Sequence, residues 1–248
     1  MLPTLNAERI KLQSTRAPAW TMLSVAVLSL GFAAIQAAGM PYTYLSPERA
    51  ALGVSMFGVP VLMILSALSV TSEYRTGMIR ATFLATPRRG VVLVAKATVA
   101  AAFSGVVTAV MMIGAIAVAR SLLSGERAVE LDLAGWGVWR AVGATSLYAV
   151  LGAVLAVAIG ALVRYTAAVV AVLVLMPFVV EPLLGIIPQI GGRVGPLLPF
   201  ANAYAFTKTP WFQTITLWWG PVGAAVYFAA VAAGLFAVAV VTLVRRDP

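Results

Sequence analysis

A short charged segment, TSEYRTGMIRATFLATPRRG at residues 71–90, lies between two apolar runs of this chain. Of the 25 charged side chains in 248 residues (17 basic and 8 acidic), this segment holds five, Glu73, Arg75, Arg80, Arg88 and Arg89. The flanking runs, 50–72 and 97–119, carry no charge. A helix needs about 20 apolar residues to cross the hydrocarbon core of a bilayer. The segment is therefore predicted to be a loop between two membrane-spanning helices.

The composition places the whole chain in lipid. It is 62% hydrophobic and 10% charged, with a mean hydropathy of +0.99, whereas soluble domains are about 25% charged. The chain contains no cysteine and no histidine, which excludes disulfides, thiol nucleophiles, imidazole catalysis and Cys/His metal sites. The net charge of +9 is explained by membrane topology, so no nucleic-acid partner is expected.

Charge-free runs recur along the chain and predict an all-α integral membrane protein with six transmembrane helices. Pro221 is a natural first-turn residue for the last of them. Residues 1–248 thus form a single transmembrane domain. The predicted spans are 18–39, 50–72, 95–119, 139–163, 165–187 and 220–244.

The basic residues predict the orientation, because cytoplasmic loops carry an excess of Lys and Arg. Eleven of them fall on one side: Arg9, Lys11, Arg16, Arg75, Arg80, Arg88, Arg89, Lys96, Arg164, Arg245 and Arg246. Six fall on the other: Arg49, Arg120, Arg127, Arg140, Arg193 and Lys208. The first side is therefore predicted to be cytoplasmic, with both termini on it.

Two short elements are expected on the cytoplasmic side. Residues 2–16 suit an interfacial helix, since their basic residues favour anionic headgroups. Within the loop 73–90, Gly77 and Pro87 bracket a helix of about nine residues, ~13 Å long. Its apolar edge is predicted to hold Met78, Ile79, Thr82 and Phe83. The alternative is a plain basic loop lying on anionic lipid.

This loop carries a family resemblance. Glu73-Tyr-Arg-Thr-Gly-Met-Ile-Arg-Ala-Thr-Phe-Leu-Ala-Thr-Pro-Arg-Arg, followed by Val-Leu-Val-Ala-Lys96, resembles the signature loop of ABC-2 type permeases. The segment AERIKL at 7–12 is similar to the family's opening. Gly77-Met78 stands where the family commonly has Gly-Thr. The Ala/Val/Gly richness and the Thr-Pro-Arg-Arg run resemble small actinobacterial members.

The resemblance implies that the short helix is a coupling helix that docks on a separate ATP-binding subunit. Its apolar edge would fill a groove there, while Glu73 and Arg75 would fix the register by polar pairing. If Glu73 lies in the aqueous loop, Glu73→Ala should leave folding and insertion nearly intact. The residues assigned to coupling are Glu73, Tyr74, Arg75, Gly77, Met78, Ile79, Thr82, Phe83 and Pro87.

The resemblance also sets the expected assembly. The chain lacks a Gly-x-x-x-x-Gly-Lys-Ser/Thr phosphate loop, so no cofactor is assigned to it, and ATP and Mg are expected on the partner subunit. A second permease chain, identical or paralogous, is expected in the bacterial plasma membrane, with lipid around it. The function implied is export of an amphipathic substrate. The alternatives are an ATP-independent channel or assembly factor and, less favoured without His or Cys, a membrane-embedded enzyme.

Residues 182–218 are rich in proline and glycine and cannot form one straight span. We expect outer or re-entrant short helices over 188–218, or else an ordinary loop with aromatic anchors. The aromatic residues that suit the outer interface are Trp211, Phe212, Trp218 and Trp219. Glu181 is predicted near the outer edge of the fifth span, paired with Arg140 or Arg193.

Small residues recur at four-residue steps in the third and fourth spans. They permit close approach of helix backbones. Packing is the simplest interpretation, and a pathway-lining or dimer role is the alternative. The two rows are Ala101, Gly105 and Ala109, then Gly152, Ala156 and Gly160.

Overall fold

The structure is a computed structural model that describes residues 2–39, 45–123, 125–187, 190–210 and 215–245, without the side chains of 125–127 and 190. Within these ranges it contains helices and no strand. The α-helices are α1 (Leu2–Ser14), α2 (Ala17–Gly39), α3 (Pro47–Ala50), α4 (Val59–Arg75), α5 (Met78–Ala85), α6 (Arg89–Leu122), α7 (Trp136–Val163), α8 (Thr166–Leu175), α9 (Glu181–Ile186), α10 (Ile190–Val194), α11 (Pro199–Thr207) and α12 (Pro221–Arg245). Short 3₁₀ segments lie at Gly125–Leu131 and Gly195–Leu197.

Six of the described helices are long and apolar enough to cross a membrane, as predicted. Two of them contain a π-helical turn: Val54–Gly58 precedes α4, and Met176–Val180 joins α8 to α9. The six are α2, Val54–Arg75, α6, α7, Thr166–Ile186 and α12. They indicate a multi-pass membrane protein.

The spanning helices differ in how much of their surface is inside the bundle. In the most apolar stretch of Val54–Arg75, 72% of the residues are buried, against 22% for α12. Helix α7 contacts α4, α6 and α12. The bundle is therefore built around α4 and α7, while α2, α8 and α12 present most of their apolar surface outward.

Glycines allow the central helices to approach closely. A Cβ atom on Gly160 of α7 would lie 3.2 Å from the carbonyl oxygen of Ala67 on α4. One on Gly105 of α6 would lie 2.8 Å from a methyl group of Val150 on α7. These members of the predicted small-residue rows thus lie at helix contacts, which supports the packing interpretation.

A tight turn separates α4 from α5. Gly77 has φ of +72°, a left-handed conformation in which only glycine avoids a steric penalty. At the other end of α5, Thr86 is extended, because a residue before proline disfavours the helical region. The structure thus has helices at both positions, 2–16 and 73–90, where short helices are expected.

The loop predicted at 73–90 is shorter in the structure. Glu73 and Arg75 belong to the last turn of α4, and α6 begins at Arg89 rather than at residue 95. The spans were placed by excluding charged residues. That rule fails here because some of these charges are neutralised inside the bundle.

Part of the region 188–218 is also helical, with α10, the 3₁₀ segment and α11 lying in it. Several residues used in the sequence analysis lie outside the described part of the chain. Among the aromatic anchors these are Trp211 and Phe212. For the orientation, Arg246 lies outside it and the side chain of Arg127 is not described.

Candidate functional site

Four charged side chains from three helices meet beside α5. Lys96 Nζ of α6 lies 2.7 Å from Glu73 Oε1 of α4 and 2.8 Å from Glu8 Oε2 of α1. Lys11 Nζ of α1 lies 2.8 Å from the same Glu73 oxygen and 3.0 Å from Glu8 Oε1. With two acids and two bases, these residues form a neutral group, here called the ion cluster.

The ion cluster is largely shielded from solvent. Glu73, Glu8 and Lys96 are only 5%, 6% and 3% exposed. Lys96 donates its third hydrogen bond to the carbonyl oxygen of Ser69, at 3.1 Å, so its ammonium group is fully satisfied. Removing either acid would leave Lys11 and Lys96 sharing one carboxylate, and the uncompensated charge at this largely buried site is destabilising.

Lys11 is the most exposed member and closes the ion cluster toward solvent. Partial burial acts to lower the pKa of Lys11, but hydrogen bonds to Glu73 and Glu8 outweigh it and raise that pKa. A raised lysine pKa stabilises the folded state at neutral pH. The contribution is lost only as the pH rises through the raised value.

Glu73 therefore does not lie in an aqueous loop, and the expectation that it does is wrong. Its carboxylate already binds Lys11 and Lys96, and it accepts a long hydrogen bond of 3.4 Å from Thr82 of α5. Glu73 joins α1, α4, α5 and α6 within its own chain. The expectation that Glu73→Ala leaves folding intact no longer follows.

Helix α5 has two distinct faces. Ile79 and Phe83, four residues apart, are 7% and 8% exposed and pack in the chain's own core with Val92 and Leu243. The Arg89 guanidinium lies over the Phe83 ring, 5.3 Å from its centroid. The predicted edge of α5 is therefore divided, with Ile79, Thr82 and Phe83 turned toward the bundle and Met78 outward.

The outward face of α5 was not predicted. Leu84 is 83% exposed and Met78 is 53% exposed, and Ala81 and Ala85 lie on the same side. Arg80 is also exposed. A helix with two long exposed apolar side chains, attached to the bundle by its other face, can serve as a docking element.

The remaining predicted coupling residues surround this helix. The Arg164 guanidinium, at the end of α7, lies 4.9 Å from the centroid of the Tyr74 ring. This contact joins the end of α4 to the turn between α7 and α8. Arg75, Gly77 and Pro87 are exposed.

The ion cluster was not predicted, although the sequence contains a signal for it. Glu8 and Glu73 are acids on the predicted basic side of the membrane, where an acid is unfavourable without a partner. Apart from the family resemblance, Glu8 was assigned no role, and Lys96 was only counted among the basic residues of the cytoplasmic side. Nothing in the sequence shows that α1 folds back to place Glu8 beside α4.

The ion cluster borders a cavity of about 470 Å³ between α1, α4 and α6. Three serines of α4 line it at three-residue steps: Ser66, Ser69 and Ser72. Each donates its hydroxyl proton to a carbonyl oxygen of its own helix. Apolar side chains including Leu65 and Phe103 line other parts of the cavity, which makes it amphipathic.

The predicted outer pair is replaced by a different arrangement. Glu181 is 2% exposed and accepts backbone N–H bonds from Phe200 at 2.9 Å and Ala201 at 2.7 Å. Arg140 pairs instead with Glu48, and Arg193 is exposed on α10. The carboxylate of Glu181 satisfies the free N–H groups in the first turn of α11, where negative charge is favoured.

A second polar contact fixes α11 from its other side. Asn202 donates to the carbonyl oxygens of Pro196 and Leu198, both at 2.9 Å, and accepts from the Trp219 indole N–H at 2.7 Å. Trp219 in turn stacks on Tyr227 of α12. The segment before the last span is thus attached to both α9 and α12.

No family model matches the chain, and no curated protein matches it either. Within the described residues there is also no group of three or more acidic, His or Cys side chains able to hold a metal ion. The features of the chain that bear on its function are α5, the ion cluster and the sequence pattern around them.

Proposed function

We propose that the chain is the transmembrane subunit of an ATP-driven ABC-2 type exporter in a bacterial plasma membrane. A separate ATP-binding subunit supplies ATP and Mg, and α5 is the helix that docks on it. The sequence pattern from Glu73 to Lys96 and six helices able to span a membrane support this function.

The outward face of α5 is the observation that carries the proposal. Leu84 and Met78 are largely exposed on a helix outside the six spanning segments. Covering long apolar side chains in that position with a partner lowers the free energy and stabilises the complex. An apolar groove on the ATP-binding subunit, with an acidic group opposite Arg80, is the complementary surface.

The inward face explains how such a contact could move the bundle. Phe83 and Ile79 fix α5 to the core, and Thr82 connects it to the ion cluster. The ion cluster joins α1, α4 and α6. Displacement of α5 by its partner would therefore act on three helices together rather than on a free loop.

The assembly we propose has two permease chains, identical or paralogous, and two ATP-binding subunits. The most outward-facing spans, α2, α8 and α12, are available for contact with lipid or a second chain. The substrate we propose is amphipathic: a drug, an antibiotic or a lipid-like molecule. The amphipathic cavity beside the ion cluster suits such a molecule.

The test is co-purification of the ATP-binding subunit with variants at matched membrane expression. Leu84→Asp would place a carboxylate in the docking groove at a cost of roughly 2–4 kcal/mol, or about 30- to 1,000-fold in affinity. Leu133→Asp is the control, because Leu133 is also exposed but lies outside α5. Equal recovery with both variants contradicts the docking role. Failure of the unmodified chain to recover an ATP-binding subunit favours the channel or assembly-factor alternative.

A further inference from the structure

Helix α1 borders a second cavity, on the side that faces α2. The volume of this groove is about 540 Å³, and it lies between α1, α2 and α6. Its apolar lining includes Met22 of α2 with Val99, Ala102 and Phe103 of α6. These residues belong to spanning helices, so the groove continues from the membrane-facing surface to α1.

The charge in this groove is positive. Among the residues that the structure describes, Arg9 is the only charged one that lines it. Among the described residues, no carboxylate lies within ion-pair distance of Arg9, whereas Lys11 is held by two. The polar side chains beside Arg9 are Asn6, Gln13 and Thr15. Within the described part of the chain, the groove thus combines a guanidinium that has no ion-pair partner, neutral hydrogen-bonding groups and an apolar wall.

We propose that the groove binds one anionic phospholipid from the adjoining leaflet. Arg9 contacts the phosphate, because a guanidinium matches phosphate geometry. Asn6 and Gln13 provide hydrogen bonds for the glycerol and ester groups. One acyl chain lies along Met22, Val99 and Phe103. None of the described residues that line the groove is an acid able to balance an ammonium group, which favours an anionic headgroup over a zwitterionic one.

This site gives α1 a different attachment on each side. One side is held by the ion cluster through Glu8 and Lys11, and the other by the lipid. The inference is independent of the proposed transport function, because it uses only the groove and its charge. A chain that binds no ATP-binding subunit could still have this lipid site.

The experiment is native mass spectrometry of the detergent-purified chain, titrated with phosphatidylglycerol and, separately, with phosphatidylcholine. We expect saturation by one phosphatidylglycerol and weaker binding of phosphatidylcholine. Arg9→Gln should lower the preference for phosphatidylglycerol about fivefold, as expected for one basic residue at an anionic surface. Arg80→Gln is the matched control, because Arg80 is exposed on α5; it should leave the preference unchanged.

A second variant tests the apolar wall separately from the charge. Ala102→Phe fills the groove while keeping Arg9, and the purified chain should then no longer bind the lipid. Glycerol phosphate without acyl chains should not compete. The proposal would be overturned by equal losses in the Arg9 and Arg80 variants or by equal binding of the two lipids. It would also be overturned if Ala102→Phe retained lipid or if glycerol phosphate competed fully.

Discussion

Glu73 holds a carboxylate in the last turn of a membrane-spanning helix with only 5% of its surface exposed. It can stay there because two ammonium groups lie within 2.8 Å of one of its oxygens. Burial of an unpaired carboxylate would be far too costly. Glu73, which was predicted to pair with a partner protein, thus forms its ion pairs within its own chain.

The first prediction at this scale concerns Glu73→Ala. We expect a loss of stability on the order of 3 kcal/mol, because Lys96 would remain buried without its nearest acid. Thermal unfolding in detergent measures the change. Glu130→Ala is the control, since Glu130 is exposed and its loss should change the unfolding temperature little. Equal unfolding temperatures for both variants would argue against a structural ion cluster.

Gly77 gives a second prediction. At φ of +72°, Gly77→Ala should destabilise the protein by about 1 kcal/mol and change the direction in which α5 leaves α4. Gly137→Ala, in the first turn of α7 with open space around it, should be neutral or slightly stabilising. The unfolding temperatures of the two variants provide the comparison, and no difference between them would contradict the strained turn.

For helix α5, the sequence predicted that a short helix forms but not which of its faces is buried. Gly77 and Pro87 predicted a short helix, and the structure has one at Met78–Ala85. Periodicity also placed Ile79 and Phe83 together. It could not decide which face meets the chain's own core, because that depends on Val92 and Leu243, which approach from other helices.

The two faces of α5 predict opposite phenotypes. Phe83→Asp should destabilise the protein by about 3 kcal/mol, since it buries a carboxylate in the core. Leu84→Asp should leave the unfolding temperature nearly unchanged and weaken recovery of the ATP-binding subunit. Unfolding and co-purification are measured on the same preparations. If Phe83→Asp unfolds like the unmodified chain, the assignment of the inward face is wrong.

The contact between α4 and α7 gives a further prediction. Gly160→Leu would force the two helices apart, because even a Cβ atom lies 3.2 Å from the Ala67 carbonyl oxygen. We expect a loss of about 2–3 kcal/mol, at the upper end of the range typical of overpacked cores. Gly143→Leu has open space around its Cβ position and should be tolerated. Similar unfolding of both variants would remove the argument for close packing at this contact.

For the whole molecule, the number of spanning helices could be predicted from the apolar runs. Runs of this length without charge are rare in soluble proteins and are typical of membrane-spanning helices. The ion cluster did not follow. Its members are separated by up to 88 residues, from Glu8 to Lys96, and only packing brings them together. Glu181 was similarly assigned a charged partner, because the sequence does not show that backbone N–H groups at Phe200 and Ala201 lie beside it.

The orientation of the bundle is a prediction for the whole molecule. The side with α1 and α5 should face the cytoplasm, since it carries most of the basic residues. The chain has no cysteine, so single cysteines can be labelled without background. In intact cells, Glu130→Cys should react with a membrane-impermeant maleimide, and Arg80→Cys should react only after permeabilisation. The reverse pattern would invert the topology.

Site-specific cross-linking tests the proposed contact between the outward face of α5 and an ATP-binding subunit. Leu84→Cys, carrying a maleimide photo-cross-linker, should give a covalent adduct with the ATP-binding subunit in membranes. Leu133→Cys, also exposed and predicted on the opposite side, should give none. An adduct from Leu84 alone is the predicted result. No adduct from Leu84, or equal adducts from both positions, would show that this face of α5 is not the docking surface.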